Sequence, residues 1–358
     1  MHHHPFRREI IVPETPGSEN DVCLLADLTG NGWLDVIIGG KFGADNLCWY
    51  EAPHWTRHTI GQAYLEAGGV LIDISGNGRL DLVVGEAWGG QSGRQGGGTE
   101  LFWFEQPKDP RQPWARRVIE NGFHKYHNQA VGDVDGDGEL EIVIASQFAG
   151  IMGYYDIPHD LDVRRWPYEN RHLIVDNLSD EGLAVGDVDG DGRTEIAFGT
   201  NLFLPPTEPG GRWTRRHLAS FDRPAVVLGD INGDGRLELV AAEGEAFPAR
   251  LAWFDLQSGA MHLLADDLFH PHSLDLADFA GNGALDILVG EMGLHQCPNP
   301  RLIIYVNDGA GRFEPVVVSE GVNTHMAVAG DVNGDGKVDV VGKPYLPGRW
   351  VDVWWNTW

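Results

Sequence analysis

Apolar residues in this chain come in short runs that alternate with polar positions and are broken by clusters of glycine, aspartate and asparagine. Period-two alternation dominates and helical periodicity is nearly absent, which predicts an all-β chain with many tight connections. The runs recur in one order. A first strand such as Gln129–Gly132 leads into an acidic loop, and a second such as Leu140–Ala145 leaves it. A third carries aromatics, as in Leu47–Tyr50, Leu101–Phe104, Leu251–Phe254 and Val351–Trp355. A fourth is basic and aliphatic, as in Thr56–Ile60, Ala115–Ile119, Asn170–Ile174 and Thr214–Leu218.

The acidic loop is the punctuation of this pattern. Seven copies of Asp-x-[Asp/Asn/Ser/Thr]-Gly-[Asp/Asn]-Gly-x-x-[Asp/Glu], one of them with alanine at the third place, begin at Asp27, Asp73, Asp133, Asp187, Asp230, Asp278 and Asp331, spaced 43 to 60 residues apart. That period signals a repeat architecture, and about 51 residues per unit suits a four-stranded propeller blade. The expected blades are 21–60, 66–119, 124–174, 179–218, 221–264, 269–318, and 322–358 completed by 6–12. The last repeat stops at its third strand, and Arg7–Val12 supplies the missing fourth-strand pattern, which predicts a ring tied shut by its N-terminal strand. The residue before the loop is small in six copies (Ala26, Gly132, Gly186, Gly229, Ala277, Gly330), which places the first strand innermost, where crowding about an axis demands small side chains. The fourth repeat, with Asn201-Leu-Phe-Leu-Pro-Pro, lacks a clear third strand and reads as irregular.

Oxygen-bearing side chains at loop positions 1, 3, 5 and 9 suit a hard cation such as calcium. The full sets are Asp133, Asp135, Asp137 and Glu141; Asp187, Asp189, Asp191 and Glu195; Asp230, Asn232, Asp234 and Glu238; and Asp331, Asn333, Asp335 and Asp339. Thr29 and Ser75 weaken the first two loops, and Ala280 leaves the sixth without its second ligand. The expected role of calcium is a structural staple.

The formal charge of −27 argues against a nucleic-acid partner, and no stretch is apolar enough to cross a bilayer as a helix. Met1-His2-His3-His4-Pro5 lacks the hydrophobic segment of a secretory signal. The compartment is therefore left open, cytoplasmic as written and extracellular if a leader is missing. Cys23, Cys48 and Cys297 give no disulfide framework, and nothing indicates anything but a monomer.

Candidate chemistry lies on the face opposite the acidic loops. Six residues before each anchoring aspartate stand Asp21, Ala67, His127, Glu181, Pro224, His272 and His325, and after the second strands come Lys41, Glu86, Gln147, Asn201, Glu243, Glu291 and Lys343. Innermost first strands would make the former set converge near the axis. Neighbouring loops add His124, Tyr126, Arg223, His270, His295 and Tyr345. Two chemistries suit this funnel. His127, Glu181, His272 and Glu291 have the imidazole and carboxylate mixture of a divalent-metal site. Alternatively, His127 or Tyr126 acts as base on a sugar carbon acidified by a neighbouring carboxylate or ketone, while lysine, arginine or metal stabilises the enolate. Catalytic candidates are thus His127, Tyr126, His272, His325, Glu181, Glu291 and Lys343, with Lys41, His124, Gln147, Arg223 and His270 as substrate contacts. Trp88 and Trp350 are candidate stacking platforms, and Gly89–Gly98 a candidate recognition loop.

The acidic loops resemble the FG-GAP or VCBS repeats of integrin-type seven-bladed propellers. His124–Gln129, Glu181-Gly-Leu183, His272-Ser-Leu274 and Val289–Met292 are similar to segments of propeller carbohydrate lyases, the rhamnosyl-glucuronate polysaccharide lyases and the propeller part of aldos-2-ulose dehydratases. That resemblance implies β-elimination at a uronate or keto-sugar, with histidine and tyrosine in the central funnel. The chain lacks the dehydratases' cupin-type domains, which favours lyase over dehydratase activity. The competing expectation is a non-enzymatic, calcium-stabilised propeller that binds a glycan or protein.

Overall fold

The computed structural model describes residues 5–87, 99–208, 210–294, 297 and 299–358. They form seven antiparallel four-stranded sheets. In blade 1 the strands are Ser18–Ala26, Asp35–Phe42, Leu47–Glu51 and Thr56–Gly61, hydrogen-bonded in that order. The same meander repeats around the ring. In the seventh blade the outermost strand is Phe6–Val12, antiparallel to Val351–Asn356. Arg8 grips Asp352 across that pair with two hydrogen bonds, at 2.8 and 3.1 Å.

Each second strand is apolar almost throughout and is buried on both faces, because both face a neighbouring blade. The core is therefore divided into seven clusters, one per blade interface. Val22, Trp49, Phe102 and Trp114 fill the gap between blades 1 and 2. Phe6, Phe279, Leu288 and Trp354 fill that between blades 6 and 7. Cys23 and Cys48 are free thiols within the seventh-to-first interface.

Neighbouring blades are also stapled by amides. The residue ending or following a third strand donates to the second loop residue of the preceding blade: Gln106 to the Leu28 carbonyl, Gln257 to Val188, Asn307 to Ile231 and Asn356 to Phe279, at 2.7 to 3.4 Å. The small residue before each loop has a specific cause. A Cβ added at Gly229 would stand 2.6 Å from Leu276 Cδ1, and one at Gly330 2.9 Å from Leu25 and Leu34, so the next blade covers the glycine. Interblade packing excludes a side chain there, a closer constraint than crowding at the axis.

One expectation of irregularity is overturned. Blade 4 has an ordinary third strand, Asn201–Leu204, paired to Glu195–Phe198 through a two-residue turn. Gly199, at φ +54°, allows that turn to be tight. The irregular blade is the second. Its inner strand shrinks to Val70–Ile72, preceded by Gly68 and Gly69 at φ +98° and +117°. Trp88, the run Gly89–Gly98 and His295 lie outside the described residues.

Candidate functional site

The inner strands do more than line the axis. In blades 1, 3 and 6 the register slips across Asn20/Val22, Tyr126/Asn128 and Pro271/Ser273, so Asp21, His127 and His272 are the extra residues of three β-bulges. A bulge leaves its residue unpaired and re-aims its side chain. Three bulges at one repeat position, with Glu181 and His325 just ahead of the inner strands of blades 4 and 7, gather five titratable groups around the axis.

These groups form two linked clusters. On one side, His127 Nε2 lies 3.6 Å from Glu181 Oε1 and 4.0 Å from Glu66 Oε1. Its Nδ1 is 2.5 Å from Asn128 Oδ1, and that same oxygen accepts the Gly182 N–H at 3.3 Å. The amide oxygen therefore faces the ring, Nδ1 must carry the proton, and Nε2 is left as the basic nitrogen. Gln147 donates to Glu181 Oε1 and receives a hydrogen bond from Lys125 Nζ. Ligand atoms of Glu181, Glu245 and His272 lie within 4.8 Å of one another, a spacing that fits a divalent cation. His272 Nδ1 is buried without a partner. Burial pulls the His272 imidazole below its usual pKa, with Glu181 opposing and His127 adding to the effect.

On the other side, Lys41 Nζ is 2.7 Å from Asp21 and 3.7 Å from Glu66. Burial works against its ammonium, yet those two acids outweigh it and hold the pKa above the ordinary lysine value. Lys343, fully buried, donates to the Asn20 carbonyl and sits 2.8 Å from His325 Nδ1. Burial lowers its pKa to about 8, Asp21 opposing. His325 is pulled well below the usual range by burial, with Lys343, His272 and Lys41 adding repulsion. It stacks on His272 at 4.3 Å, which joins the two clusters, and touches the Tyr345 ring at 4.8 Å.

A cavity of about 260 Å³ opens on the axis, lined by His127, Asn128, Glu181, Arg223, His272 and Asp275 among others. Arg223 reaches Glu245 at 3.2 Å.

Several candidates lie elsewhere. Tyr126 is fully buried in the core between blades 2 and 3, and its hydroxyl accepts the Phe123 N–H at 3.3 Å. Burial drives its pKa well above the usual phenol value, so it is a packing residue and not a funnel base. Glu291 is also withdrawn. Arg301 holds it through Nε at 3.0 Å and Nη2 at 2.6 Å, and the amides of Phe269 and Arg301 take its remaining capacity. Glu243 is clamped likewise by Arg250, and Asn201 by Arg215. Of the residues after the second strands, Lys41, Gln147 and Lys343 join the clusters. His124 is exposed, and His270 packs edge-on to Phe269, both outside the cavity lining. Trp350 ties its indole N–H to Asp352 at 2.8 Å.

Glu66, Glu245 and Asn128 were not singled out by the sequence pattern. Glu66 stands one place before the equivalent offset because the blade 2 inner strand is shortened. Glu245 lies just past a strand end, in Glu243-Gly-Glu245, where a hairpin turn brings it back to the axis.

The acidic loops divide by their third residue, aspartate in loops 3 and 4 and asparagine in loops 5 and 7. In loops 3 and 4 the ligand atoms of Asp133, Asp135 and Glu141, and of Asp187, Asp189 and Glu195, lie within 4.8 Å of one another. Burial, reinforced by neighbouring aspartates, lifts Glu141 to about 8 and Glu195 to about 6, a strain that a cation would relieve. In loop 5, Asn232 turns its amide N–H to Glu238 Oε1 at 3.1 Å, and in loop 7 Asn333 does so to Asp335. Asp339 also spends both oxygens on the amides of Val332 and Asn356. Loops 3 and 4 thus gather three of their four expected ligands, Asp137 and Asp191 standing outside the clusters and Asp191 turned to Arg193. Loops 5 and 7 need their asparagines to turn.

Residues 278–342 match the model of a family described as FG-GAP-like repeat. No curated protein matches the chain. Among solved structures, the one described as BBS1N in complex with ARL6DN, soaked with mercury, is similar at 11% identity and a TM-score of 0.61, covering 97% of this chain and 95% of that one. The exotype rhamnogalacturonan lyase YesX is similar at 14% identity and a TM-score of 0.52, over 97% of this chain and 76% of that one. At such identities the likeness is one of fold. The chain is a seven-bladed β-propeller in which residues 278–342 match an FG-GAP-like repeat.

Proposed function

We propose that the axial cavity is the active centre of a carbohydrate lyase acting by β-elimination on a uronate-containing glycan or keto-sugar, with calcium in the acidic loops as a structural ion. The observation that carries this is His127, which lines the cavity with Nε2 3.6 Å from Glu181 and 4.0 Å from Glu66 while its Nδ1 faces the Asn128 side-chain oxygen. Nε2 would remove the proton from the carbon next to the sugar's carboxylate or ketone. The electron pair left behind forms the enolate and then the new double bond, as the β carbon–oxygen bond breaks and the leaving oxygen takes up a proton. Glu181 and Glu66 stabilise the imidazolium formed in that step. Arg223 is placed to orient an acidic sugar. A divalent cation held by Glu181, Glu245 and His272 would supply positive charge for the developing enolate oxygen. The segments similar to propeller lyases support the same reading, and one neighbour of this fold is itself described as a rhamnogalacturonan lyase.

The test is a turnover screen against uronate-containing polysaccharides and keto-sugars, read by the ultraviolet absorbance of the conjugated product with and without chelator. Absorbance should rise with the parent protein and fall by about 10²-fold or more in His127→Ala. Unchanged turnover in both His127→Ala and His272→Ala would defeat this assignment. The second reading, a non-enzymatic propeller that binds a glycan or protein, takes its support from the mouth carboxylates already spent on arginines, Glu243 and Glu291. Silence across the whole panel from folded protein would favour it.

A further inference from the structure

In blades 3 to 6 the residue immediately before the inner strand gives its carbonyl to the first N–H beyond the second strand. The pairs are Lys125 with Gln147, Gly182 with Gly199, Arg223 with Gly244 and His270 with Met292, at 2.9 to 3.2 Å. All four residues hold left-handed backbone, with φ of +59°, +70°, +42° and +41°. Glycine adopts that conformation freely, whereas a side chain makes it unfavourable. Blade 4 shows that glycine serves this turn. The lysine, arginine and histidine of the other three blades therefore answer to something besides the turn.

Two of these side chains are cations that hold a neighbour of the central clusters. Arg223 meets Glu245 at 3.2 Å, and Lys125 Nζ donates to Gln147 Oε1. The second contact acts further in. Lysine has only donors, so it takes the oxygen end of the Gln147 amide and leaves the nitrogen end to Glu181. Reversed, the amide would set its oxygen against the carboxylate. The oxygen that Gln147 grips, Glu181 Oε1, is also the one 3.6 Å from His127 Nε2. Gln147 and Glu181 are 6% and 4% exposed, so bulk water does not readily replace a lost donor.

We propose that Lys125 is a positioning residue for His127. Its ammonium fixes the Gln147 amide, and the amide holds Glu181 where the imidazolium formed by proton abstraction needs it. The left-handed backbone is what it takes to bring a cation to that place. The catalytic consequence rests on the lyase reading; the order imposed on Glu181 rests on the contacts alone.

The experiment compares the parent with Lys125→Met, Lys125→Gly, Lys125→Arg, Gln147→Leu and the double variant Lys125→Met with Gln147→Leu. Nitrogen-15 NMR follows the Gln147 side-chain amide, assigned by its absence from Gln147→Leu. Its protons should be protected from solvent exchange in the parent and in Lys125→Arg, and that protection should fall about tenfold or more in Lys125→Met and Lys125→Gly. In turnover, Lys125→Met should lower kcat about tenfold with KM changed by less than about twofold, and Lys125→Arg should recover most of the loss. The double variant should be no slower than Gln147→Leu alone, because the lysine acts through the amide. Lys125→Gly should melt above Lys125→Met, since neither has the ammonium and only methionine puts a side chain on the left-handed turn. Parent-like amide protection in Lys125→Met would overturn the proposal. So would full turnover in that variant with the protection lost, additive losses in the double variant, or Lys125→Gly melting below Lys125→Met. A parent without turnover on any substrate removes the lyase reading, and the amide protection then still decides whether Lys125 orders Glu181.

Discussion

Single residues at one repeat offset are what make this hub chemical. The offset six places before each anchoring aspartate is legible in the sequence, and it named Asp21, His127, Glu181, His272 and His325. The bulges that aim three of them are not legible, because a bulge depends on pairing with the second strand. The same blindness misassigned Tyr126, whose neighbour His127 faces the cavity while its own ring enters the core. His325 makes a residue-scale prediction. It is packed among Lys343, Lys41, Asp21, His272 and Tyr345, and its folded pKa is depressed. Below the unfolded value of about 6.5 the unfolded chain takes up a proton that the folded chain refuses, so stability is lost as pH falls. Replacing it, His325→Asn, should flatten the decline in melting temperature between about pH 6.5 and pH 4.5. An unchanged acid limb would show that this imidazole is not the group responsible.

At the level of strands and blades the sequence was most informative, since loop spacing and strand order both follow from period-two patterning and turn residues. It erred where local signal was thin. Blade 4 makes its third strand from four residues, Asn201–Leu204, too few to stand out beside two prolines. In blade 2 a shortened inner strand shifted the register that brought Glu66 to His127. The amides between blades could not have been read in advance, because their partners are 69 to 78 residues away. Asn307 Nδ2 serves the buried carbonyl of Ile231 and the half-buried one of Leu285. Asn307→Leu strands both, and should cost about 1–3 kcal/mol in denaturant melts while leaving ligand affinity at the cavity unchanged. A loss below about 0.5 kcal/mol would mean that these staples are incidental.

Over the whole molecule, the acidic loops gather on one face and the mixed clusters on the other. Removing divalent cations should lower the melting temperature without erasing the β-sheet signal, and calcium at a hundredfold excess over Kd should restore about 2.7 kcal/mol per occupied site. Replacing both ninth-position acids of loops 3 and 4, Glu141→Gln with Glu195→Gln, should abolish most of that calcium dependence. An undiminished response would place the ion elsewhere. The clasp of the seventh blade has a consequence for biosynthesis. Among the described strands of the ring, Phe6–Val12 leaves the ribosome before the rest, yet its partner Val351–Asn356 leaves after them, with the Arg8–Asp352 link spanning 344 residues. The strand made first is therefore the last to find its place. Until then Phe6 and Ile11 stay uncovered, and the nascent ring is a horseshoe with one bare sheet edge. Six interfaces can form in sequence as blades emerge, but the seventh forms in one event that joins the two ends of the ordered chain, and the slowest step of maturation should be that closure.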